Sequence, residues 1–332
     1  MAMDGSITVV VVTWEGRELT LAALASLRRQ TAAHRVLVVD NASTDGTAQA
    51  IADSYPEVDV LTLATNAGFA GGVAAAMARI DTQFVALLNN DAVADPQWLE
   101  ASLAPFSDPS VAAVTAKLLL AQGPSDHDAP TTINNAGVVL LESGYGADRG
   151  LGHPDGPEFD QAVEVFGFSG GASMLRTLAV KAVGGIRADY FMYYEDTELS
   201  WRLREAGWRI VYAPGAVVTH AHGASAGPMS RMFAHRTEGN RLRMLWSHAP
   251  VGFAAGATAR FVVTTASLTA QELRGRAPAT PVLDPHVRWG VLSGVVRDLP
   301  RLIAARPRTG RRASRRRLLR QWRGVPARPW ET

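Results

Sequence analysis

ITVVVVT, residues 7–13, is a run of β-branched side chains without the polar alternation of a strand that has one face in water. Such a run reads as a strand buried on both faces, the kind found in parallel sheets. RVLVVD (35–40), VDVLTL (58–63) and FVALLN (84–89) repeat it. Between these runs lie stretches with helical patterning, 17–30, 45–54 and 71–80. Strands alternating with helices predict a doubly wound α/β fold, with a mostly parallel central sheet flanked by helices.

Ligands in such sheets sit beyond the carboxyl ends of the strands. Each predicted strand ends on polar residues: Thr13 and Glu15 after the first, Asp40 and Asn41 after the second, Asn66 after the third, and Asn89, Asn90 and Asp91 after the fourth. Any one of these is an ordinary turn sequence. Their recurrence at one edge points to a shared pocket, in which LLNNDA (87–92) would be a metal and phosphate site.

The chain has 332 residues, 47% of them hydrophobic, enough for one large catalytic domain plus an extension. The absence of cysteine excludes disulfides, thiolate zinc sites and a cysteine nucleophile. The N-terminal MAMDGSITVVVV lacks a basic n-region and a cleavage site, so no signal peptide is expected. The apolar stretch from Pro250 to Ala270 is interrupted by Arg260, and no transmembrane helix is expected there.

VVDNASTDGT (38–47) places Asp40 at a strand end, where a carboxylate accepts from a pyrimidine N–H or a ribose hydroxyl; Ser43, Thr44 and Asp45 read as helix caps. TNAGFAGG (65–72) has glycines where a backbone approaches closely, but neither G-x-G-x-x-G spacing nor the GK[ST] of a phosphate loop. That spacing speaks against Rossmann-type oxidoreduction. YYEDTELSWR (193–202) sets Glu195 and Asp196 at a helix start behind an aromatic run, a setting for a general base. Glu198 and Arg202 share the face of Glu195, and Gly207 closes the helix. In VVTHAHGAS (217–225), His220 and His222 are candidates to join Asp91 on Mn²⁺ or Mg²⁺. Residues 107–165 read as loops around short strands.

In order and spacing, VVVVTWEG, VVDNASTDGT, NAGFAGG, LLNNDA, FSGGASMLR, YFMYYEDTELSWRLREAGW and HAHGAS resemble glycosyltransferase family 2, over about residues 6 to 250. The resemblance implies a GT-A fold in 1–250 and an inverting, metal-dependent sugar transfer from a nucleotide-sugar donor. The branch it looks most like is rhamnosyltransferase-like, making L-rhamnose from dTDP-rhamnose the leading donor and cell-envelope glycan the product. LLNNDA takes the place of the D-x-D motif, so Asp91 would hold the divalent cation with His220, and Asn89 stands where an Asp is usual. By the same carry-over Asp40 contacts the nucleobase, Thr13, Glu15, Asn66 and Asn90 line the donor pocket, and Gly170 and Gly171 lie near donor sugar and acceptor. Asp196 is the implied general base, beside Glu195. Ala74, Glu198 and Gly239 depart from residues common in the family.

From Arg297 onward there are 12 Arg against two acids, Asp298 and Glu331, which leaves 21 basic and 29 acidic residues before it. This strongly basic tail is a solvated segment, a nucleic-acid arm or an amphipathic membrane anchor. Its interleaved Leu, Ile, Val and Trp favour an anionic membrane surface over nucleic acid. The expected partners are therefore a nucleotide-sugar, a lipid-linked or polysaccharide acceptor and the inner face of the cell membrane, with the protein cytoplasmic and peripheral. Residues 251–332 are expected to form a helical extension whose basic end can be removed without harm to the donor reaction. A catalytically weakened homologue that binds the nucleotide-sugar as an assembly subunit is the alternative.

Overall fold

The computed structural model describes residues 6–121, 131–220, 230–276, 278–306 and 311–324. The first third is the expected alternation: β1 (Ile7–Thr13), α1 (Arg17–Leu27), β2 (Arg35–Asp40), α2 (Thr47–Ser54), β3 (Asp59–Thr62), α3 (Gly68–Met77) and β4 (Phe84–Asn89). Every residue of β1 is buried, as a strand covered by helices on both faces must be. β1 pairs in parallel with β2 on one side and β4 on the other, and β2 in turn with β3. Thr13 lies opposite Asp40, and Val12 opposite Asn89. The register therefore delivers the polar strand ends to one edge.

The chain continues through β5 (Ala92–Ala94), α4 (Trp98–Leu103), β6 (Val111–Leu120), β7 (Ile133–Asn135), β8 (Val138–Leu140), β9 (Gly146–Asp148), β10 (Val163–Glu164), β11 (Ala172–Arg176) and α5 (Thr177–Ala182). α6 (Glu195–Glu205) and β12 (Arg209–His220) follow, then four helices, α7 (Arg231–His248), α8 (Val251–Glu272), α9 (Pro285–Ala304) and α10 (Arg311–Trp322). Beyond β4 the sheet becomes mixed, because β11 runs antiparallel to both β4 and β6. β6 corrects the expectation of loops and short strands over 107–165: it is a ten-residue strand in the middle of the sheet. Its sequence, VAAVTAKLLL, is rich in Ala and Leu and carries no strand signature of its own; pairing with β11 and β12 decides it.

The C-terminal helices are not an appendage. α9 lies along α7, joined by Arg231–Asp284 at 2.9 Å and Arg243–Asp298 at 2.7 Å. Leu318, Leu319 and Trp322 of α10 are buried in one apolar cluster with Phe166, Tyr190, Tyr194, Trp201 and Leu245. The Trp322 ring meets Phe166 at 6.3 Å and lies under the Arg204 guanidinium at 4.2 Å. Leu318, Leu319 and Trp322, expected to face lipid, cover α6 instead. α8, expected to fall short of a membrane span, is the one helix among the described residues long and apolar enough to cross a membrane by length and composition.

Trp322→Ala should destabilise the fold by roughly 3–5 kcal/mol, the usual cost of emptying a large buried aromatic site. Chemical denaturation checks this; an unchanged midpoint would mean that α10 is a loose tail after all.

Candidate active site

The carboxyl edge of the sheet gathers residues far apart in sequence. β12 pairs antiparallel with β5, which places His220 opposite Ala92 and so beside Asp91. His220 Nε2 is 2.9 Å from Asp91 Oδ1 and 3.2 Å from Asn89 Nδ2, and its Nδ1 is 2.8 Å from Asn134 Oδ1. Asn134 accepts at that oxygen, so Nδ1 carries the hydrogen and Nε2 is turned toward Asp91. There the ring nitrogen and the carboxylate oxygen are both acceptors, and a proton or a cation has to lie between them. Asp91, His220 and, with its amide oxygen turned inward, Asn89 therefore suit a hard divalent cation. Among the described residues no three acidic or imidazole side chains converge on one point, so this is a lean donor set with room for other ligands. His222 lies outside the described residues.

The donor-pocket candidates take different parts. Asp40 is 2% exposed and accepts from the Ser43 N–H at 3.1 Å. Thr13 turns inward, its hydroxyl shared with Thr20 at 2.7 Å and accepting from Asn90 Nδ2 at 3.3 Å. Glu15 has φ 50° and accepts from the N–H and hydroxyl of Thr44, bracing the first loop against the second. Asn66 accepts from the Gly68 N–H at 2.8 Å, a turn contact. Asp45, not Ser43, holds the start of α2, accepting from the Thr47 N–H at 3.0 Å.

Asp196 opens α6 and is partly exposed, whereas Glu195 beside it is buried. The Gly170 N–H donates to Asp196 Oδ2 at 2.9 Å, and the Thr197 N–H and hydroxyl donate to Oδ1 at 2.5 and 3.0 Å. Burial raises the Asp196 carboxyl above its usual range, and these donors offset part of the shift. Glu195 Oε2 has no hydrogen-bond partner among the described residues. Burial, and then the charge of Asp196, push Glu195 up to about 8, which favours its neutral form beside the Asp196 carboxylate.

Gly170 and Gly171 lie beside Asp196 and Asn89. A Cβ on Gly170 would lie 3.6 Å from Asp196 Oδ2, and one on Gly171 3.5 Å from Asn89 Nδ2. Gly68, at φ +71°, lets the backbone of the 190–194 loop approach: a Cβ there would be 2.3 Å from the Phe191 oxygen. That loop is strained, with Phe191, Tyr193 and Tyr194 all at positive φ. Asn240 holds it, its amide nitrogen reaching the carbonyls of Tyr190, Met192 and Tyr193 at 2.8 to 3.1 Å.

Four further residues escaped the sequence reading. Asn134 orients His220, Asn240 fixes the loop, and Asn135 donates to Asp148 at 2.5 Å. Asp148, on β9, is open to the cleft; desolvation by the surrounding walls and the charge of Asp196 push it up to about 6, against the pull of Asn135 and His220. The doubled asparagine in TTINNAG was the available signal, since buried amides need partners.

The chain as a whole is similar to known proteins. A profile described as "Glycosyltransferase like family 2" matches residues 4–237. The chain belongs to glycosyltransferase family 2. It is 31% identical over 260 residues to the N-acetylglucosaminyl-diphospho-decaprenol L-rhamnosyltransferase of Mycobacterium tuberculosis, covering 70% of this chain and 82% of that protein. It is 27% identical over 250 residues to a pre-mycofactocin glycosyltransferase of the same organism, covering 69% of this chain and 50% of the relative. In structure it resembles GalNAc-T7 with UDP, GalNAc and Mn²⁺ (TM-score 0.60, 15% identity), covering 79% of this chain and 50% of that one. A mannosyltransferase of Pyrobaculum calidifontis with GDP-Man and Mn²⁺ aligns over 98% of this chain and 81% of its own (TM-score 0.50, 19% identity). The fold is thus the GT-A fold of this family's enzymes, and the chain is a glycosyltransferase.

Beneath the cleft an ionic network anchors α6. His248 contacts Glu198 through Nε2 at 3.0 Å and Glu205 through Nδ1 at 3.2 Å, and Arg202 pairs with Glu198 at 2.7 Å. Burial opposes charge on the ring and on Glu198, but the hydrogen bonds prevail: His248 is raised above 6.5, and Glu198 is brought down to about 2. A raised histidine contributes stability that is complete below 6.5 and lost as pH climbs through its folded value; a lowered glutamate loses its share as pH falls from 4.5 toward 2. Stability should therefore plateau between these limits and decline above pH 6.5. His248→Gln should flatten the alkaline decline and cost on the order of 3 kcal/mol, because buried carboxylates lose their partner. Melting temperatures across pH 4 to 9 measure both; parallel curves for the two proteins would exclude a charged His248.

Proposed function

We propose that this glycosyltransferase moves a sugar, with L-rhamnose from dTDP-rhamnose as the leading donor, onto a lipid-linked or polysaccharide acceptor in cell-envelope glycan synthesis. The observation that carries the reading is the pairing, at one sheet edge, of a cation-suited Asp91–His220 contact with a carboxylate at Asp196 that is open to the cleft. Similarity to a decaprenol-linked rhamnosyltransferase over most of its length supports the donor and acceptor class. In this reading residues 1–250 carry the transfer, and 251–332 form a helical extension packed on α6 and α7. A nucleotide-sugar donor and a chain without cysteine fit a protein at the cytoplasmic face of the membrane.

Asp196 accepts the proton of the acceptor hydroxyl at its less hydrogen-bonded oxygen, Oδ2. The acceptor oxygen attacks the anomeric carbon from the face opposite the diphosphate. The bond from that carbon to the phosphate oxygen breaks, configuration inverts, and the nucleoside diphosphate departs. Asp91, His220 and Asn89 would hold a divalent cation, Mg²⁺ or Mn²⁺, which would offset charge on the diphosphate. Asp40 takes the nucleobase or ribose, and Glu15 with Asn66 shapes the loops around it. Gly170 keeps Asp196 in place through its N–H and leaves space above it for a sugar. Glu195, neutral, keeps a second negative charge away from the base.

Asp196→Asn should lower transfer from dTDP-rhamnose to an N-acetylglucosaminyl-diphospho-lipid by at least about 10²-fold, the usual share of a general base. Glu195→Gln copies the protonated side chain, so it should match the wild type within a few fold at pH 7 and diverge only above pH 8, where Glu195 ionises. Transfer that survives Asp196→Asn would sink the assignment of the base.

In nucleotide binding monitored by thermal shift, Mn²⁺ should enhance the response to dTDP in the wild type and not in Asp91→Ala. Asn134→Ala, which frees the His220 ring to rotate, should weaken Mn²⁺ affinity about 10- to 100-fold, as losses of ligand-orienting partners do. A shift with a nucleoside diphosphate but no transfer above the Asp196→Asn background would favour the nucleotide-sugar-binding subunit reading, no shift with any nucleoside diphosphate would count against both, and full activity in excess chelator would remove the cation from the mechanism.

A further inference from the structure

Leu318, Leu319 and Trp322 of the basic tail are buried. Exposed apolar side chains gather instead on α8 and α9. α8 and α9 pack side by side on α7: Arg288 donates to Thr265 at 3.0 Å and stacks on Phe261 at 3.8 Å, while Trp246 donates to Thr258 at 3.0 Å. These contacts use one side of each helix. Exposed on this hairpin are Val263 (69%) on α8, Leu273 (85%) just past its end, and Trp289 (45%), Val296 (67%) and Ile303 (49%) on α9. Isolated exposed aliphatics are ordinary, but along α9 Trp289, Val296 and Ile303 recur every seven residues, which is one stripe of a helix.

Charge selects the occupant. The acids of the hairpin are engaged: Glu272 with His286 at 3.5 Å, Asp284 with Arg231 at 2.9 Å, Asp298 with Arg243 at 2.7 Å. Arg260, Arg274, Arg276 and Arg297 are exposed and make no ion pair among the described residues. A twofold contact between copies would set these arginines against each other, whereas an anionic bilayer satisfies them and takes up the aliphatic stripe. One face of α8 is committed to Arg288 and to α7, so the helix lies along the surface in spite of its span-like length.

We propose that the outward face of the α8–α9 hairpin is a docking surface for anionic lipid. The face ends beside the site. Trp289 bonds Thr269 at 3.1 Å, Arg231 at the start of α7 pairs with the N-cap of α9, and Phe233 one turn on packs edge-to-face with Tyr193 at 5.0 Å. Tyr193 precedes Glu195 by two residues. A lipid-linked acceptor whose tail stays in the bilayer then brings its head to Asp196 without leaving the surface. This deepens the proposed membrane acceptor and rests on it.

The test is co-sedimentation of the full-length protein with phosphatidylglycerol–phosphatidylcholine vesicles and with phosphatidylcholine alone. Wild type should bind the anionic vesicles. Val263→Asp/Leu273→Asp/Val296→Asp and Arg260→Glu/Arg274→Glu/Arg276→Glu should each bind them at least about tenfold more weakly, since inserted apolar surface and interfacial arginines both contribute. Arg316→Glu/Arg317→Glu/Arg320→Glu, on the exposed side of α10, should bind like wild type. All the altered side chains are exposed, so unchanged melting temperatures would exclude misfolding as the cause. If the α10 variant alone loses binding, the tail is the anchor: this inference falls and the membrane reading stands. If wild type binds neither vesicle, the membrane reading falls as well. If the hairpin variants bind lipid normally but turn a dimer into a monomer in sedimentation velocity, the face joins copies of the chain, and the lipid assignment is wrong.

Discussion

The amide of Asn240 reaches three carbonyls of the loop just before α6, and the rest of the site depends on it. Three residues of that loop hold positive φ without being glycine, at a cost of about 1–3 kcal/mol each. Released, the loop would relax and carry Glu195 and Asp196 with it. Gly68 yields the space on one side, and its neighbour Ala70 donates to the Phe191 carbonyl at 2.9 Å. Asn240 restrains the other. The strain sits beside the carboxylates because a loop forced into one shape aims a side chain more narrowly than a relaxed one.

Four carboxylates within a short reach are sorted by surroundings alone. Glu198 is supplied with a histidine and an arginine and stays charged; Glu195 has neither and is neutral at pH 7; Asp148 and Asp196 face the cleft, both raised. Were all four ionised, their mutual repulsion would oppose the approach of a diphosphate. Setting the permanent charge beneath the helix and the adjustable charge above it separates anchoring from chemistry.

Local signals were enough for β1 to β4 and for the start of α6, where buried parallel strands and a helix opening on acids have few other readings. The positions of Asp40, Asn89 and Asp91 at strand ends followed from that architecture, and that of Asp196 from the acidic helix start. The direction of β11 and the length of β6 did not, since both are fixed by neighbours distant in sequence. Asn134, Asn135, Asn240 and His248 each act by holding another residue, and their partners lie between 13 and 86 positions away in sequence, from Asn135 with Asp148 to Asn134 with His220, so they meet only once the sheet has closed. The pattern of Arg with Leu and Trp in α10 was read as amphipathic correctly, but a one-dimensional pattern does not say whether the apolar side meets lipid or the rest of the chain. Thr13 and Asn90 meet at that edge across 77 positions of sequence, bonded to each other.

Trp322 has a consequence for how the molecule is made. α10 leaves the ribosome after every other described element, yet it covers the aromatic surface of Phe166 and its neighbours on α6. Until then the sheet can form while that flank stays bare, since a domain's pieces emerge in order from the N-terminus. A nascent chain stalled before α10 would thus present a sticky aromatic patch on the very helix that carries Asp196. The last described segment to be synthesised is the one that closes the catalytic unit, so an unfinished chain is more apt to be recognised by a chaperone than to act.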